Sequence, residues 1–505
     1  MSLTRRFTLL FHVYKYIYSY MTNATPFFPG FHRLLFGRAQ RSAQQQLRIQ
    51  AEALDQATLS QLGKVCTPWV PAGLLKPTVR GDHSRRRFFP QGLTFWAFLS
   101  QVLSPESPCR ETLRKVQAWY TVRRQPRPGS GTAAYCRARA RLALDTLRGI
   151  HRHTADELQR RVSGEQLWCG RRVKVVDGTG VSMPDTPRNQ RAFPQPSGQK
   201  KGCGFPVAKL VGCFCLASGA LLHWAEGTLH VHESRLFRKL FTFLLPGDVI
   251  LTDRGFCSYI HIAILLRSGI DTVMRLHQAR PGDLRKGKRL GPNDRLVTWL
   301  KPKQRPRTCT AADWRLVSAT LTLRLVYVSI TAPGFRTQSL VVVTTLTDPI
   351  LYPAAELAKL YLRRWAVELF FRDIKITLGM DVLRCQTPAM VRKEIAMHAI
   401  AYNLIRALMQ QAAALYHVPI ERLSFKGSVD TLRQWSDTLN AAHAKPREQV
   451  RLFNQLLQIL AEDTVPLRPN RAEPRVRKRR PKAYPLMTHP RRDYRRAALS
   501  KGDLK

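Results

Sequence analysis

The segment YLRRWAVELFFRDIK, residues 361–375, constrains the fold more than any other, because it has a helical pattern yet carries polar side chains at regular intervals. The polar positions are Tyr361, Arg364, Glu368 and Lys375. At roughly 100° per residue, all four project within about 60° of one another. Apolar residues such as Leu362, Trp365 and Leu369 occupy the rest of the surface, which predicts a helix buried on most sides. Since unpaired polar groups are costly to bury, we expect the four to pair with each other or to face a polyanion and its metal.

The net charge of the chain indicates which polyanion this is. The 505 residues include 82 Lys and Arg against 34 Asp and Glu, giving a formal net charge of +48. Such an excess predicts a polyanionic partner, because neutralising phosphates releases their counterions. Nucleic acid is the leading candidate, and an anionic membrane surface is the weaker one. No apolar run reaches the length of a membrane span, so we expect a soluble protein.

Two aspartates follow strand-like runs elsewhere in the chain. Asp177 comes after VKVV, where the sequence predicts a turn between two short strands, and Asp253 ends VILT. Each alone is most simply a turn residue. Together with Glu368, however, they offer a set of hard oxygen ligands of the kind that Mg²⁺ prefers. Because two such ions support phosphodiester displacement, we predict two Mg²⁺ ions at these three residues, with Mn²⁺ as the alternative.

The order of predicted elements around these carboxylates is typical of an α/β protein. Residues 22–165 have helical periodicity with basic faces, which favours either DNA binding or a solvated linker role about equally. From residue 171 the pattern predicts three strands, a helix, a strand, a helix and a strand. A β-rich block follows over 281–350, and helices resume after it.

The spacing of the four polar residues on the helix also matches a family signature. The pattern of Tyr, two residues, Arg, three residues, Glu, six residues and Lys is the hallmark of the insertion-sequence-four family of bacterial DDE transposases, which this chain resembles. DGTGVSMPDT resembles the family's first-aspartate segment, and GDVILTDRGFCSY resembles its second, with Asp253 followed by Arg254. The resemblance covers roughly residues 125–400. It implies an α/β, ribonuclease-H-like catalytic core with a β-rich insertion before the last catalytic helix.

Pattern and resemblance together predict the domain organisation. The expected boundaries are 1–21 for an upstream extension, 22–165 for an N-terminal helical domain, 171–280 for the first part of the core, 281–350 for the β-rich insertion, 351–400 for the catalytic helix region, 401–470 for C-terminal helices and 471–505 for a basic tail. Residues 1–21 are unlike a signal peptide, because His12 and Lys15 interrupt the apolar run, and Met21 is the alternative start. The tail has 13 Lys and Arg against 3 Asp and Glu, which predicts a flexible segment lying along DNA phosphates or a plain solubilising tail.

The function that the resemblance implies is cut-and-paste DNA transposition, by metal-dependent cleavage and strand transfer at terminal inverted repeats. Asp177, Asp253 and Glu368 would be the catalytic metal ligands. The DNA-binding set would be Tyr361, Arg364, Lys375 and Arg254. The expected partners are end and target DNA and a second copy of the chain, in the bacterial cytoplasm at the nucleoid. Two alternatives stay open: a metal-dependent nuclease on the same fold, and a DNA-binding protein whose catalysis has lapsed.

Other metal and disulfide patterns are weak. The ten cysteines include no C-x-x-C or metal-knuckle spacing, which predicts reduced thiols. HVHESRLF offers His230, His232 and Glu233 as a transition-metal site, but we predict structural roles, with Glu233 in the first turn of a helix.

Overall fold

The computed structural model describes residues 69–75, 88–122, 125–280, 287–306, 309–330, 339–441, 446–467, 486–491 and 493–494. The expected upstream extension at 1–21 and most of the basic tail lie outside these ranges. Across the described part of the chain, no helix combines the length and the apolar character that a bilayer crossing needs.

The described strands form one nine-stranded sheet, so the chain has the mixed α/β architecture that was predicted. The strands are β1 (Val173–Ser182), β2 (Val207–Cys215), β3 (Leu221–Thr228), β4 (Val249–Thr252), β5 (Asp271–Arg275), β6 (Lys288–Gly291), β7 (Asp294–Leu300), β8 (Thr320–Ser329) and β9 (Ser339–Thr344). Their order in the sheet is β3-β2-β1-β4-β5-β9-β8-β7-β6. The pairs β1–β4 and β4–β5 are parallel, and all other neighbours are antiparallel.

The first strand corrects our expectation for Asp177. We expected a turn there between two short strands, but β1 is continuous over ten residues and contains Asp177. The reason is tertiary: β2 pairs with β1 along its length, and this ladder holds DGTG extended in spite of its turn-forming residues. By contrast β4 ends at Thr252, so Asp177 lies just beyond the end of its parallel neighbour.

The β-rich block at 281–350 supplies β6 to β9, which continue the same sheet. β9 pairs with β5, and β8, β7 and β6 follow outward. Arg324 of β8 is completely buried, and its guanidinium donates to both carboxylate oxygens of Asp294 on β7. This ion pair fixes the outer strands to each other.

Helices precede, connect and follow the strands. They are α1 (Gln91–Leu103), α2 (Cys109–Val122), α3 (Ala133–Arg141), α4 (Leu144–Arg160), α5 (Pro187–Ala192), α6 (Glu233–Leu240), α7 (Tyr259–Arg267), α8 (Ala311–Leu316), α9 (Ala354–Leu362), α10 (Ala366–Arg372), α11 (Pro388–Leu415), α12 (Phe425–Ala441) and α13 (Pro446–Glu462). The long helix α11 is buried over most of its length, as its largely apolar sequence requires. Since α1 and α4 pack on it, these two helices share one core with the sheet. The helices α2 and α3 pack on another face of α1 in a second hydrophobic cluster.

Candidate active site

Parallel pairing of β1 and β4 brings two of the predicted aspartates to the same edge of the sheet. Val176 is paired with Thr252, and the next residues along the two strands are Asp177 and Asp253. Neighbouring strands lie about 4.8 Å apart, so the two aspartates start from adjacent backbone positions. The backbone N–H of Gly178 donates to Asp177 Oδ1 at 2.7 Å, and that of residue 255 donates to Asp253 Oδ1 at 2.9 Å. These backbone donors orient both carboxylates.

A helical segment packed on β1 brings the third carboxylate to this edge. The segment runs from α9 through a 3₁₀ turn at Arg363–Trp365 into α10 and ends in a π-helical turn at Asp373–Thr377. Arg364 Nη2 donates to Glu368 Oε1 at 3.0 Å, and Arg364 Nη1 donates to Asp177 Oδ2 at 3.4 Å. Arg364 therefore bridges the helix and the strand. Two of the four polar residues of the helix, Arg364 and Glu368, do pair with each other, as predicted.

The other predicted DNA-binding residues lie beside the carboxylates in different environments. Tyr361 is 5% exposed and hydrogen-bonded to Arg364, and burial raises the pKa of its phenol to about 12. Lys375 is partly exposed, and its Nζ donates to Thr179 Oγ1 at 3.2 Å. Arg254 is exposed, and its Nη1 donates to Gln278 Oε1 at 3.0 Å. Thus Lys375 and Arg254 can reach a ligand directly, whereas Tyr361 lies beneath the surface.

The charges of the other two carboxylates affect the pKa of Asp177. Burial, together with the charges of Asp253 and Glu368, raises the pKa of Asp177 to about 6, against the opposing effects of the hydrogen bond from Gly178 and the Arg364 guanidinium. A divalent cation would relieve this repulsion, and all the donors are hard oxygens, so the residues fit Mg²⁺ or Mn²⁺ chemically. In this conformation Arg364 supplies the positive charge, and no group of three or more His, Cys, Asp or Glu in the described ranges has the arrangement of a metal site.

The helix is less buried than its sequence predicted. One face packs on the sheet, with Val367 and Ile374 almost fully buried. The neighbouring face carries Leu362, Trp365 and Leu369, which are 38%, 42% and 41% exposed. The prediction of burial on most sides is therefore wrong for this face, because the described elements that pack on the segment, which are the sheet and the helices α11 and α12, leave this face uncovered.

Two residues of the DGTG segment, Gly178 and Thr179, lie at the site although the sequence pattern did not predict a role for them. Successive strand side chains alternate between faces, so Thr179 shares the face of Asp177 and meets Lys375 there. Gly178 points to the opposite face, where an added Cβ would lie 2.8 Å from Glu233 Cδ. Glu233 is the first residue of α6, as predicted, and a side chain at 178 would collide with it. The period-two alternation would have identified Thr179 if the segment had been recognised as one strand.

Asp373 on the π-helical turn makes protein stability depend on pH. It is 7% exposed, and burial raises its pKa to about 6 despite the nearby Arg372 and Arg406. The folded state then binds more protons than the unfolded state between about pH 4 and 6, so this carboxyl destabilises the protein progressively as pH rises through that window. Asp373→Asn should therefore increase the free energy of unfolding at pH 7.5, by up to about 3 kcal/mol, and change it little at pH 4.

Urea unfolding at the two pH values measures this effect. Asp185→Asn is the matched control, because Asp185 is exposed and bonded to Gln190, and its replacement should have little effect at either pH. A gain in stability that is the same at both pH values would contradict the role of the Asp373 charge.

The chain is similar to known transposases in sequence, and one solved transposase structure is similar to it in fold. Residues 168–404 match the family described as Transposase DDE domain. The chain is 28% identical over 404 residues to Transposase InsG for insertion sequence element IS4 of Escherichia coli (strain K12), an alignment that covers 79% of this chain and 88% of the relative. A solved structure of the piggyBac transposase synaptic complex with hairpin DNA is similar with a TM-score of 0.38 at 10% identity, over 82% of this chain and 85% of the other.

Proposed function

Because the chain is a DDE transposase of the insertion-sequence-four type, an enzyme of DNA transposition, we propose that it moves its element by a cut-and-paste route. In this proposal the protein cleaves DNA at the terminal inverted repeats and joins the freed ends to target DNA. The observation that carries the proposal is the approach of Asp177, Asp253 and Glu368 to one edge of the sheet, where Arg364 ties two of them together.

Asp177, Asp253 and Glu368 are the side chains that would hold divalent cations. When bound at such a site, Mg²⁺ or Mn²⁺ ions lower the pKa of water and stabilise the attacking and leaving oxygens of a phosphodiester displacement. The chain supplies the orientation of the carboxylates through its backbone N–H donors. Arg364 is positioned to exchange its carboxylate partners for a DNA phosphate, since a guanidinium binds either oxyanion in the same forked geometry.

The remaining polar residues of the site would bind and align DNA. Arg254 and Lys375 are accessible and can contact phosphates, which positions the scissile linkage without reading sequence. Tyr361 is buried and bonded to Arg364, so we assign it a positioning role behind that arginine.

The architecture supports a finer description of the fold and the assembly. Strands β1 to β5, with β1 parallel to β4 and antiparallel to β2, support a ribonuclease-H-like core, with β6 to β9 as its β-rich insertion. Helices α1 to α4 would belong to a DNA-binding N-terminal domain. Joining two element ends requires two active sites, so we propose a homodimer on DNA, at the nucleoid of a bacterial cytoplasm.

A strand-transfer assay with paired end DNA and a target plasmid tests this function. We expect products in which the end DNA is covalently joined to the plasmid, in the presence of Mg²⁺. Nicked or cut end DNA without any joined product would instead favour a nuclease on the same fold, and uncut DNA in a stable complex would favour a lapsed enzyme.

Replacing Lys375 tests the proposed phosphate contact. Lys375→Ala should weaken binding to end DNA and reduce the slope of log K against log salt by about one, because one phosphate contact is lost. Fluorescence anisotropy over a salt series measures both quantities. Lys375→Arg should retain most of the affinity. Lys359→Ala, which removes an exposed lysine of α9 paired with Glu356, controls for the loss of one charge. If Lys375→Ala and wild type have the same salt slope, Lys375 does not contact phosphate.

A further inference from the structure

Two thiols and a buried arginine form a cluster where the N-terminal helices meet the segment that follows the π-helical turn at Asp373–Thr377. Cys109 is the first residue of α2, and its side chain is hydrogen-bonded to Cys136 of α3. Arg139, also on α3, is 8% exposed; its Nη2 lies 3.2 Å from Cys109 Sγ and 3.9 Å from Cys136 Sγ. Gln101 Nε2 of α1 lies 3.6 Å from Cys109 Sγ. Cys109 is therefore surrounded by hydrogen-bond donors from two other helices, α1 and α3.

These surroundings favour the thiolate form of Cys109. The hydrogen bond from Cys136 is the largest cause that lowers the pKa of Cys109, and the Arg139 guanidinium and Gln101 lower it further against the opposing effect of burial. The N-terminal position on α2 acts in the same direction, because helix N-termini stabilise anions. The same interaction raises the pKa of Cys136, and Arg139 Nη2 lies closer to Cys109 Sγ than to Cys136 Sγ, so the surroundings favour the thiolate on Cys109 and the thiol on Cys136.

The buried ionisable groups around the cluster do not supply a competing anion of normal acidity, and the carboxylate of Glu106, which also lines the cavity, is exposed to solvent. Burial raises the pKa of Tyr135 on α3, of Cys385 in the segment before α11 and of Glu394 on α11. Arg384 is a second cation nearby, and its Nη1 donates to the carbonyl of Ser107. Cys109 is thus the acidic thiol of this region.

A cavity of about 240 Å³ gives small molecules access to Cys109. Its lining includes Cys109, Ser107 and Arg139 on the N-terminal side and Cys385 and His398 on the catalytic side. In the described part of the chain, three buried polar atoms of this lining lack a hydrogen-bond partner: Arg139 Nε, Ser107 Oγ and His398 Nδ1. Buried polar atoms are rarely left without a partner, so this cavity suits a small polar guest that can accept and donate hydrogen bonds.

We propose that Cys109 is an oxidation site for hydrogen peroxide and that Cys136 resolves the product to a disulfide. The Cys109 thiolate attacks one peroxide oxygen, the O–O bond breaks, and hydroxide leaves with the bonding electrons and takes a proton from solvent to become water. The sulfenic acid on Cys109 then condenses with the Cys136 thiol, forming the S–S bond and releasing a second water. The two sulfurs lose two electrons in total, and one peroxide is reduced to two waters.

Peptide mapping of the full-length chain tests the disulfide. Reduced protein is treated with hydrogen peroxide, its free thiols are blocked, and it is digested without reductant for mass spectrometry. We expect the peptide containing Cys109 to be linked to the peptide containing Cys136, with the mass of two hydrogens lost. In Cys136→Ser, dimedone should instead trap a sulfenic acid on Cys109. Cys109 linked to Cys385, or left unmodified while other cysteines oxidise, would overturn the proposal.

The pH dependence of alkylation tests the thiolate in the wild-type chain. The rate at Cys109 should change less than about twofold between pH 6 and 8, whereas a reference peptide with an ordinary thiol should slow by nearly a hundredfold from pH 8 to 6. Arg139→Gln should move the profile of Cys109 towards that of the peptide. A wild-type profile that already follows the peptide would refute the proposal, whether or not the Arg139 variant folds.

Discussion

Asp253→Asn should abolish Mg²⁺-dependent cleavage of end DNA, lowering the rate by at least about 10³-fold, because the loss of a metal-binding carboxylate removes several kcal/mol of transition-state stabilisation. The asparagine side chain can still accept the hydrogen bond from the backbone N–H at position 255, so the local turn should persist. It lacks the negative charge that a divalent cation needs. Single-turnover cleavage of labelled end DNA, with a titration of Mg²⁺, measures the effect.

Binding of end DNA by the same variant separates chemistry from recognition. We expect its affinity in the absence of divalent cations to stay near that of wild type, since the substitution removes a repulsive charge and no phosphate contact. Asp185→Asn is the matched control, because Asp185 is exposed and follows β1 yet bonds only Gln190 among the described contacts, and its cleavage rate should be unchanged. Normal cleavage by Asp253→Asn would remove Asp253 from the proposed metal site.

Helical spacing was the most informative signal in the sequence. The helical spacing of the polar residues predicted that Arg364 and Glu368 share a face of the helix, and the structure joins them by a hydrogen bond. The same period does not predict which apolar face of the helix is buried, because burial depends on packing by helices and strands that are distant in sequence. Trp365 and Leu369 are exposed for that reason.

Local sequence was a poorer guide in the strands. The glycines of DGTG predicted a turn, yet pairing with β2 holds the segment extended. Contacts such as Lys375 with Thr179, or Arg139 with Cys109, join residues on separate elements. The periodicity of a single segment does not predict such contacts, because they depend on how separate helices and strands pack against each other.

The buried ion pair of the outer strands is another contact of this kind, and it supports the second large prediction. Arg324 is 0% exposed; its Nε and Nη2 donate to the two carboxylate oxygens of Asp294 at 2.9 and 2.6 Å. Its Nη1 also donates to the carbonyls of Asp348 at 3.2 Å and Tyr352 at 2.7 Å. These carbonyls lie just before α9, so one side chain connects β7 and β8 to the start of the helical segment that carries Glu368.

Arg324→Met should destabilise the chain by about 3–5 kcal/mol, because it leaves the buried Asp294 carboxylate without its counterion. Urea unfolding followed by fluorescence measures the loss. Arg289→Met, at an exposed position on β6, is the control and should stay within about 0.5 kcal/mol of wild type.

A double variant identifies the cause of this destabilisation. Arg324→Met combined with Asp294→Leu removes both charges and should recover a large part of the lost stability, because a buried ion pair replaced by apolar residues of similar volume is often tolerated. The carbonyls of Asp348 and Tyr352 still lose their donor, so recovery should be incomplete. If the double variant is as unstable as Arg324→Met alone, the cost comes from the carbonyls before α9 and not from the uncompensated Asp294 charge.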